Sequence, residues 1–339
     1  MKKNSVRIYY VFQSVVIVSV LIFIFTLTTN LKHATADDQS YDECLLEALK
    51  NANSDTTVAE LRQACRKASE PTLIEKRVQK EAQSNDNPFA ITAYKQNYVL
   101  PFAYNSSTNS DPYSLNWDSL TETEIKFQIS LKYKLVDNII KDNGDIFLAY
   151  TSLSLWQAYN KGLSSPFRET NYEPEAWLQF ETNWDLWGVR NRMISIGASH
   201  QSNGRSGTLS RSWNRIYMNF LFEKGDFALN LKPWWRVPEE EKDSHDDSSG
   251  DDNPDIDKYM GYGELGMLYK WRDNDFTMLF RNNLRASENM GAIQLGWSFP
   301  IYKKLKGYVQ YFNGYGETMI DYNASTNRIG VGLLLTDWL

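Results

Sequence analysis

From about residue 93 to its end, the 339-residue chain alternates between apolar and polar side chains with a period of two. In the clearest run, TEIKFQISLKYKLV at 123–136, apolar residues from Ile125 to Leu135 occupy every second position. A strand of a soluble sandwich shows the same alternation. This run, however, is longer than the ~5–6 residues of a typical soluble strand, and a tilted strand crosses a membrane with ~9–11 residues. The alternation therefore favours membrane-spanning strands.

Twelve such runs follow one another, and the connections between them differ in length. The connections are long after the first, third, seventh and eleventh runs and short after the sixth, eighth and tenth. Even strand numbers, with short turns on one side and long loops on the other, are typical of bacterial outer-membrane barrels. The pattern predicts an all-β fold, a twelve-stranded antiparallel transmembrane β-barrel over residues 93–339. Its strands are expected at 94–104, 122–136, 145–157, 171–181, 190–202, 213–223, 226–236, 258–271, 274–284, 290–300, 305–313 and 327–339.

The start of the chain has the composition of a targeting segment. Residues 1–36 contain a basic beginning, an apolar run from about Val11 to Leu27, and the sequence Ala34-Thr35-Ala36. This order predicts a signal peptide that is cleaved after Ala36. The alternative is a single anchoring helix, because the apolar run is nearly long enough to span a bilayer.

Two further segments precede the barrel. Within 37–70, apolar residues recur at helical spacing on both sides of an Asn-Ser-Asp sequence, and the only two cysteines are Cys44 and Cys65. We predict a short N-terminal helical hairpin that a disulfide clamps in an oxidising compartment. Lys67 to Asn87 is charged and poor in large apolar side chains, which predicts a linker, placed at 71–92.

Composition agrees with a membrane barrel. Tyr, Phe and Trp make up 14% of the chain, although its mean hydropathy is only −0.51. Aromatic girdles combined with a polar lumen produce this balance. The net charge of −6 makes nucleic acid an unexpected partner. The acidic run at 238–257 is interpreted either as a solvated extracellular loop or as a partial contributor to divalent-ion binding.

Three polar side chains share the parity of the lipid-facing residues. In NRMISIGASHQS, His200 and Ser202 fall on the same face as Ile194, and Asn214 falls on the same face as Ile216 in the next run. Polar groups that face a membrane suggest function. The alternative is that they only end a strand at the headgroup boundary.

These three residue types can form a nucleophilic triad. Residues i and i+2 of a strand lie about 7 Å apart on one face, so that the Ser202 hydroxyl can reach the His200 imidazole. Ser202 would then be the nucleophile, His200 the general base, and Asn214 the residue that orients the ring. Gly204 could offer its backbone N–H to the oxyanion.

The motifs HQSNGRS and SRSWNR resemble those of the outer-membrane phospholipase A family of Gram-negative bacteria. Three more stretches agree: SSPFRETNYEP at 164–174, DDNPDIDKYMGY at 251–262 and GYGETMIDYN at 314–323. The resemblance implies a twelve-stranded barrel in the outer membrane that hydrolyses acyl esters of phospholipids and lysophospholipids. It also implies calcium as cofactor, activation as a homodimer, and the same roles for the three triad residues. Because the loop between the fifth and sixth runs is on the long-loop side, we expect the active site to face the outer leaflet.

Calcium ligands follow from the resemblance only. It assigns oxygens of Arg205 and Ser210 to a calcium site that Ser164 of a second copy completes, and it assigns Asp252 to an alternative, monomeric site. One departure from the family pattern bears on the monomeric site, because this chain has Gly207 where relatives can carry an aspartate. For the membrane-embedded dimer contact, Ser152 is a candidate.

Two other functions remain open from the residues alone. One is a non-enzymatic barrel, either a channel or an adhesin, and the other is an outer-membrane protease that uses the same serine. Release of fatty acid, its dependence on Ser202, and its dependence on calcium distinguish the three.

Overall fold

The fold is described by a computed structural model over residues 41–53, 56–68, 71–85, 90–113, 120–242, 244 and 250–337. The chain divides into two compact units, Met1–Glu70 and Pro71–Leu339. The predicted signal peptide lies outside the described residues. Among the described residues, no helix is both long enough and apolar enough to cross a membrane.

The first unit contains the two predicted helices, α1 (Tyr41–Lys50) and α2 (Val58–Ala68). A capping box begins α2: the Thr57 backbone N–H donates to Glu60 Oε2 at 2.8 Å, and the Glu60 N–H donates to Thr57 Oγ1 at 3.3 Å. Each bond satisfies an N–H that the first helical turn leaves without a partner. A disulfide joins Cys44 to Cys65, so the predicted disulfide-linked hairpin is confirmed.

The second unit begins with a helix where the sequence predicted a linker. Helix α3 (Leu73–Asn85) starts with a second capping box, formed by Thr72 and Glu75. Its charges pair with charges on the barrel strands, as in the 2.8 Å contacts of Glu75 with Arg192 and of Glu81 with Lys132. Low hydrophobicity was therefore misleading, because this helix packs through ion pairs with a polar surface.

Twelve strands of the described chain form a closed antiparallel barrel, as predicted. Each strand pairs with its neighbours in sequence, and the last strand pairs with the first, so that no strand edge is left open. A two-residue segment, Thr92–Ala93, adds to one strand. The barrel strands are β1 (Asn97–Asn105), β2 (Thr123–Val136), β3 (Asp145–Trp156), β4 (Glu169–Leu186), β5 (Val189–Ser202), β6 (Ser212–Lys224), β7 (Phe227–Arg236), β8 (Gly263–Trp271), β9 (Asn274–Asn282), β10 (Gly291–Tyr302), β11 (Leu305–Tyr315) and β12 (Ser325–Thr336).

One predicted strand starts later than expected. The sequence predicted a strand from 258, but Ile256–Met260 form a short helix, α4, and β8 begins at Gly263. Ile256 and Met260 are one helical turn apart and both are buried, at 0% and 3% exposure. A five-residue helix carries too few apolar positions for its period to be separated from that of a strand.

The two ends of the barrel differ. At one end, β4–β5, β6–β7, β8–β9 and β10–β11 are joined by two-residue turns. At the other end, longer loops follow β1, β3, β5, β7, β9 and β11. This asymmetry confirms the predicted arrangement of turns and loops, and it places the β5–β6 connection at the long-loop end.

The core of the barrel contains buried ion pairs beside aromatic side chains. Arg168 and Arg328, both 2% exposed, contact Glu124 at 2.6 and 2.9 Å, and Lys126 contacts Glu317 at 2.8 Å. Removal of one partner of such a buried pair typically costs ~3–5 kcal/mol, because the other charge is left uncompensated. The inward-facing residues thus hold the wall rigid, and the outward positions of the strands remain available to lipid.

Candidate active site

The β5–β6 hairpin places the predicted polar residues on the outer wall. His200 lies directly opposite Asn214, and Ser202 lies opposite Ser212. The neighbouring Ser199 faces inward and is 4% exposed, whereas His200 is exposed and Ile216, on the same face, is 44% exposed. The alternation of the strands therefore presents the imidazole to the outside of the barrel.

Inward-facing side chains of the same hairpin fix its position. Trp213 is fully buried, and its indole N–H donates to Gln201 Oε1 at 2.8 Å. Arg215 contacts Glu173 at 2.6 Å, and its guanidinium lies 4.2 Å from the centre of the Trp213 ring. Because the inner face is held by these contacts, the outer face is a rigid platform.

The structure brings the histidine and the asparagine into contact. His200 Nδ1 lies 2.9 Å from Asn214 Oδ1. Ser202 is half-buried on the same strand face, and among the described residues its hydroxyl makes no hydrogen bond to the imidazole in this arrangement. Hydrogen bonds of this kind are often incomplete before a substrate binds.

A third side chain, whose role the sequence did not predict, contacts Asn214. Asn214 Nδ2 donates to Glu239 Oε1 at 3.0 Å. Glu239 belongs to the acidic run at 238–257, in which consecutive acidic residues look alike. Only the path of the loop singles out this carboxylate.

A buried asparagine organises the loop that joins the two strands. Asn203, 4% exposed, donates from Nδ2 to the Leu209 carbonyl at 2.8 Å. Its Oδ1 accepts from the backbone N–H groups of Arg205 and Arg211, at 3.3 and 3.0 Å. This role of Asn203 was not predicted, although an asparagine beside a glycine at a strand end is a turn signal.

Position 204 requires a glycine. Its φ is +64°, a left-handed conformation, and an added Cβ would lie 3.0 Å from the Tyr172 ring. Both features disfavour any other residue. The backbone after Ser202 can therefore turn tightly at this point.

Two of the predicted calcium ligands meet at the rim of the barrel. Asp252 Oδ2 accepts hydrogen bonds of 2.9 Å from the Ser210 and Ser212 hydroxyls, and Lys242 Nζ lies 2.6 Å from Asp252 Oδ1. Burial by itself would raise the pKa of Asp252, but the hydrogen bonds from Lys242, Ser212 and Ser210 outweigh burial and lower the pKa below its ordinary value. Asp252 is therefore an ionised carboxylate whose charge Lys242 compensates.

The other predicted ligands have different partners. The Arg205 guanidinium donates to the Arg168 carbonyl at 2.6 Å, and the Ser164 carbonyl accepts from the Trp156 indole at 2.8 Å. The described residues contain no group of three or more histidine, cysteine or acidic side chains that could hold a metal ion. Gly207 has a φ of +63°, and nothing lies within 4 Å of where its Cβ would be.

The fold, with its polar inner face and its apolar outer face, defines a class of protein. A closed twelve-stranded barrel with a polar interior, exposed apolar side chains on the outer wall and unequal loop ends is an integral protein of the bacterial outer membrane. The contact between His200 and Asn214 lies on that outer wall.

Comparison with known proteins gives the family. The sequence profile of the family Phospholipase A1 matches residues 74–335. Over 257 residues the chain is 40% identical to a phospholipase A1 of Klebsiella pneumoniae, covering 75% of this chain and 85% of that protein. The chain belongs to the Phospholipase A1 family and is a phospholipase of the outer membrane.

Two solved structures are similar over most of the barrel. One is an active-site mutant of the outer membrane phospholipase A of Escherichia coli in which an asparagine is replaced by alanine; it has a TM-score of 0.70 and 38% identity, covering 77% of this chain and 98% of that one. The other is the outer membrane phospholipase of Salmonella typhi, a dimer with bound calcium, with a TM-score of 0.69 and 37% identity, covering 76% and 97%.

Proposed function

We propose that Ser202, His200 and Asn214 form the catalytic triad with which this enzyme hydrolyses acyl esters of phospholipids and lysophospholipids. The observation that carries the proposal is the 2.9 Å contact between His200 Nδ1 and Asn214 Oδ1 on the outer wall of the barrel. An asparagine also belongs to the active site of the related E. coli enzyme. The long-loop position of the triad directs it to the outer leaflet.

The chemistry follows from which atoms donate and which accept in these hydrogen bonds. The amide oxygen of Asn214 accepts a hydrogen bond, which keeps the proton of His200 on Nδ1 and leaves Nε2 free to act as a base. Ser202 Oγ attacks the ester carbonyl carbon while its proton passes to Nε2. That proton then passes to the departing glycerol oxygen as the C–O bond breaks, which leaves the acyl chain on Ser202.

The second half of the reaction regenerates the enzyme. Water loses a proton to His200 Nε2 and attacks the acyl carbonyl, and Ser202 Oγ leaves with that proton. The fatty acid is released beside the membrane. The backbone N–H of Gly204 would donate to the oxyanion of both tetrahedral intermediates. An amide suits this location, because a carboxylate beside hydrocarbon would carry a large desolvation cost.

Calcium and a second copy complete the proposal. Carbonyl and hydroxyl oxygens are ligands that calcium takes, and Arg205 and Ser210 would offer one of each kind from the loop that carries Gly204. Asp252 fits less well, since Lys242 already compensates its charge. When bound, calcium supplies positive charge near the developing oxyanion. The S. typhi relative is a dimer with bound calcium, which supports calcium and a second copy here, and the sequence resemblance assigns Ser164 of that second copy to the site.

The dimer contact would lie on the lipid-facing wall. Ser152 lies opposite Ile129 on β2 and Tyr172 on β4, whose side chains are 51% and 37% exposed. A polar group among exposed apolar residues is unfavourable in hydrocarbon unless a partner covers it. We therefore assign this face, including Ser152, to homodimer formation.

The test is fatty-acid release by refolded full-length protein in detergent, with calcium and then with chelator. The wild type should release fatty acid only with calcium, and Ser202→Ala should lose nearly all activity at unchanged folding. Ser206→Ala, in the same loop, serves as a control. Activity retained by Ser202→Ala would overturn the triad, release of peptides would favour a protease, and calcium-independent hydrolysis would overturn the cofactor assignment.

A further inference from the structure

The contact between Asn214 and Glu239 extends the line of hydrogen bonds that begins at the histidine. His200 Nδ1 lies 2.9 Å from Asn214 Oδ1, and Asn214 Nδ2 donates to Glu239 Oε1 at 3.0 Å. Glu239 follows the end of β7 by three residues and lies at the long-loop end of the barrel. The acidic run at 238–257 thus places one carboxylate, that of Glu239, against the active-site hairpin.

The direction of these hydrogen bonds decides which ring nitrogen of His200 carries the proton. An ionised carboxylate can only accept, so Glu239 requires the NH₂ group of Asn214 to face it. The carbonyl oxygen of Asn214 must then face His200. A carbonyl oxygen also only accepts, so Nδ1 must carry the proton and Nε2 is left as the base.

Without Glu239, the amide has no such preference. The two ends of an asparagine amide have nearly the same shape, and a half-turn about the last side-chain bond exchanges them. The turned amide would present its NH₂ group to Nδ1, which favours the tautomer with the proton on Nε2. In that tautomer His200 cannot accept the proton of Ser202.

The carboxylate also supplies a charge that the amide lacks. A neutral asparagine cannot offset the positive charge that His200 acquires in the transition state. Glu239 is the next group in line, and hydrogen bonds in a chain polarise one another. Its negative charge therefore stabilises the imidazolium through Asn214, and its place at the rim avoids burial of a carboxylate in hydrocarbon.

Backbone and side-chain contacts that do not involve the Glu239 side chain hold the segment in place. The Val237 N–H donates to the Asn214 carbonyl at 2.8 Å, and the Asp251 N–H donates to the Glu240 carbonyl at 2.7 Å. Lys242 pairs with Asp252, which accepts from Ser210 and Ser212 on the hairpin. Replacement of the Glu239 side chain should therefore leave the path of the segment unchanged.

From these contacts we infer that Glu239 is a positioning residue that fixes the orientation of the Asn214 amide, and through it the tautomer of His200. The inference rests on the proposed triad and deepens it.

The first test compares Glu239→Gln with Glu240→Gln. Both variants remove one negative charge from the same segment, but only Glu239 contacts Asn214. We expect kcat to fall about tenfold in Glu239→Gln with little change in KM, because the loss concerns orientation and not substrate binding. Glu240→Gln should keep the wild-type kcat.

The second test separates positioning from a structural effect. In an Asn214→Ala background, Glu239→Gln should cause no further loss of kcat, since its only route to the histidine is gone. In ¹⁵N-histidine-labelled protein, the His200 ring signals should show a single Nδ1-protonated tautomer in the wild type and a mixture in Glu239→Gln. The signals are assigned with His200→Gln.

The outcomes are distinct. Wild-type kcat in Glu239→Gln, together with an inactive Ser202→Ala, would overturn the positioning role and leave the triad intact. The same loss from Glu239→Gln in the presence and absence of the Asn214 side chain would also overturn it. Activity retained by both Ser202→Ala and Asn214→Ala would instead mean that the proposed triad is wrong.

Discussion

On the β5–β6 hairpin, the inward-facing residues stabilise the barrel wall, and the outward-facing residues form the candidate site. Ser199 and Arg215 face the polar interior, and the ion pair of Arg215 with Glu173 helps to fix the wall. Their neighbours His200 and Asn214 face outward and meet at 2.9 Å. A change of one position in register would exchange these two sets. The candidate chemistry therefore depends on the register of this hairpin.

Gly204→Ala is expected to abolish most activity while the barrel remains folded. A left-handed alanine costs about 1–2 kcal/mol, and its Cβ would press on the Tyr172 ring, so the backbone that would hold the oxyanion must shift. Gly207→Ala is the matched control, because Gly207 is also left-handed but its Cβ would meet nothing within 4 Å. Fatty-acid release and thermal unfolding are measured for both. Equal losses of activity would show that strain alone, and not the position of Gly204, is responsible.

At the scale of elements, the loop between β5 and β6 is held mainly by one side chain. Asn203 replaces a regular turn with three hydrogen bonds to the backbone of residues 205, 209 and 211. Its burial means that these bonds do not compete with water. The loop that carries Gly204, Arg205 and Ser210 is therefore a defined structure and not a flexible connection.

Asn203→Ala should loosen this loop without opening the barrel. Three backbone groups lose their partner, at a cost of ~1–3 kcal/mol for each group left buried. Hydrogen exchange should accelerate at Arg205 and Arg211, and fatty-acid release should fall. Ser206→Ala is the control, since the Ser206 side chain makes no capping hydrogen bond at the short helical turn that follows it. Unchanged exchange rates in Asn203→Ala would contradict this account of the loop.

Helix α3 lies where the amino-acid composition predicted a linker. Its capping box, Thr72 with Glu75, is readable from the sequence, but its charged faces suggested a segment without packing. Those charges contact Arg192 and Lys132 on the barrel strands. Of the described side chains of this helix only Ile74 is fully buried, and one buried apolar position is too few for hydrophobic periodicity to detect.

At the scale of the whole molecule, closure of the barrel determines which surfaces a lipid can reach. Every barrel strand has two partners, and charged and aromatic side chains are buried inside, so the outer wall and the long loops are the surfaces available to a lipid substrate. The family profile covers residues 74–335 and thus includes the barrel and helix α3 but not the first unit.

Replacement of both cysteines by serine is therefore expected to leave the enzyme active. The Cys44–Cys65 disulfide closes a loop within the first unit, where it should contribute ~2–4 kcal/mol. The thermal unfolding of the barrel and the rate of fatty-acid release should match those of the wild type, while the first unit becomes more sensitive to protease. A large loss of barrel stability or of activity would show that the first unit supports catalysis.

The sequence by itself determined the barrel, its strand number, the disulfide-linked hairpin and the outward parity of His200, Ser202 and Asn214. These features follow from local periodicity and from the spacing of a few residues, which the chain records directly. Only the tertiary structure decided that α3 packs against the strands, that Asn203 shapes the active-site loop, that Lys242 compensates Asp252, and that Glu239 contacts Asn214. The α3 and Glu239 contacts join segments that are distant in sequence, and a charged residue in a polar loop gives no local sign of its partner. The Asn203 and Lys242 contacts are closer in sequence, but they depend on the path that each loop takes in the fold.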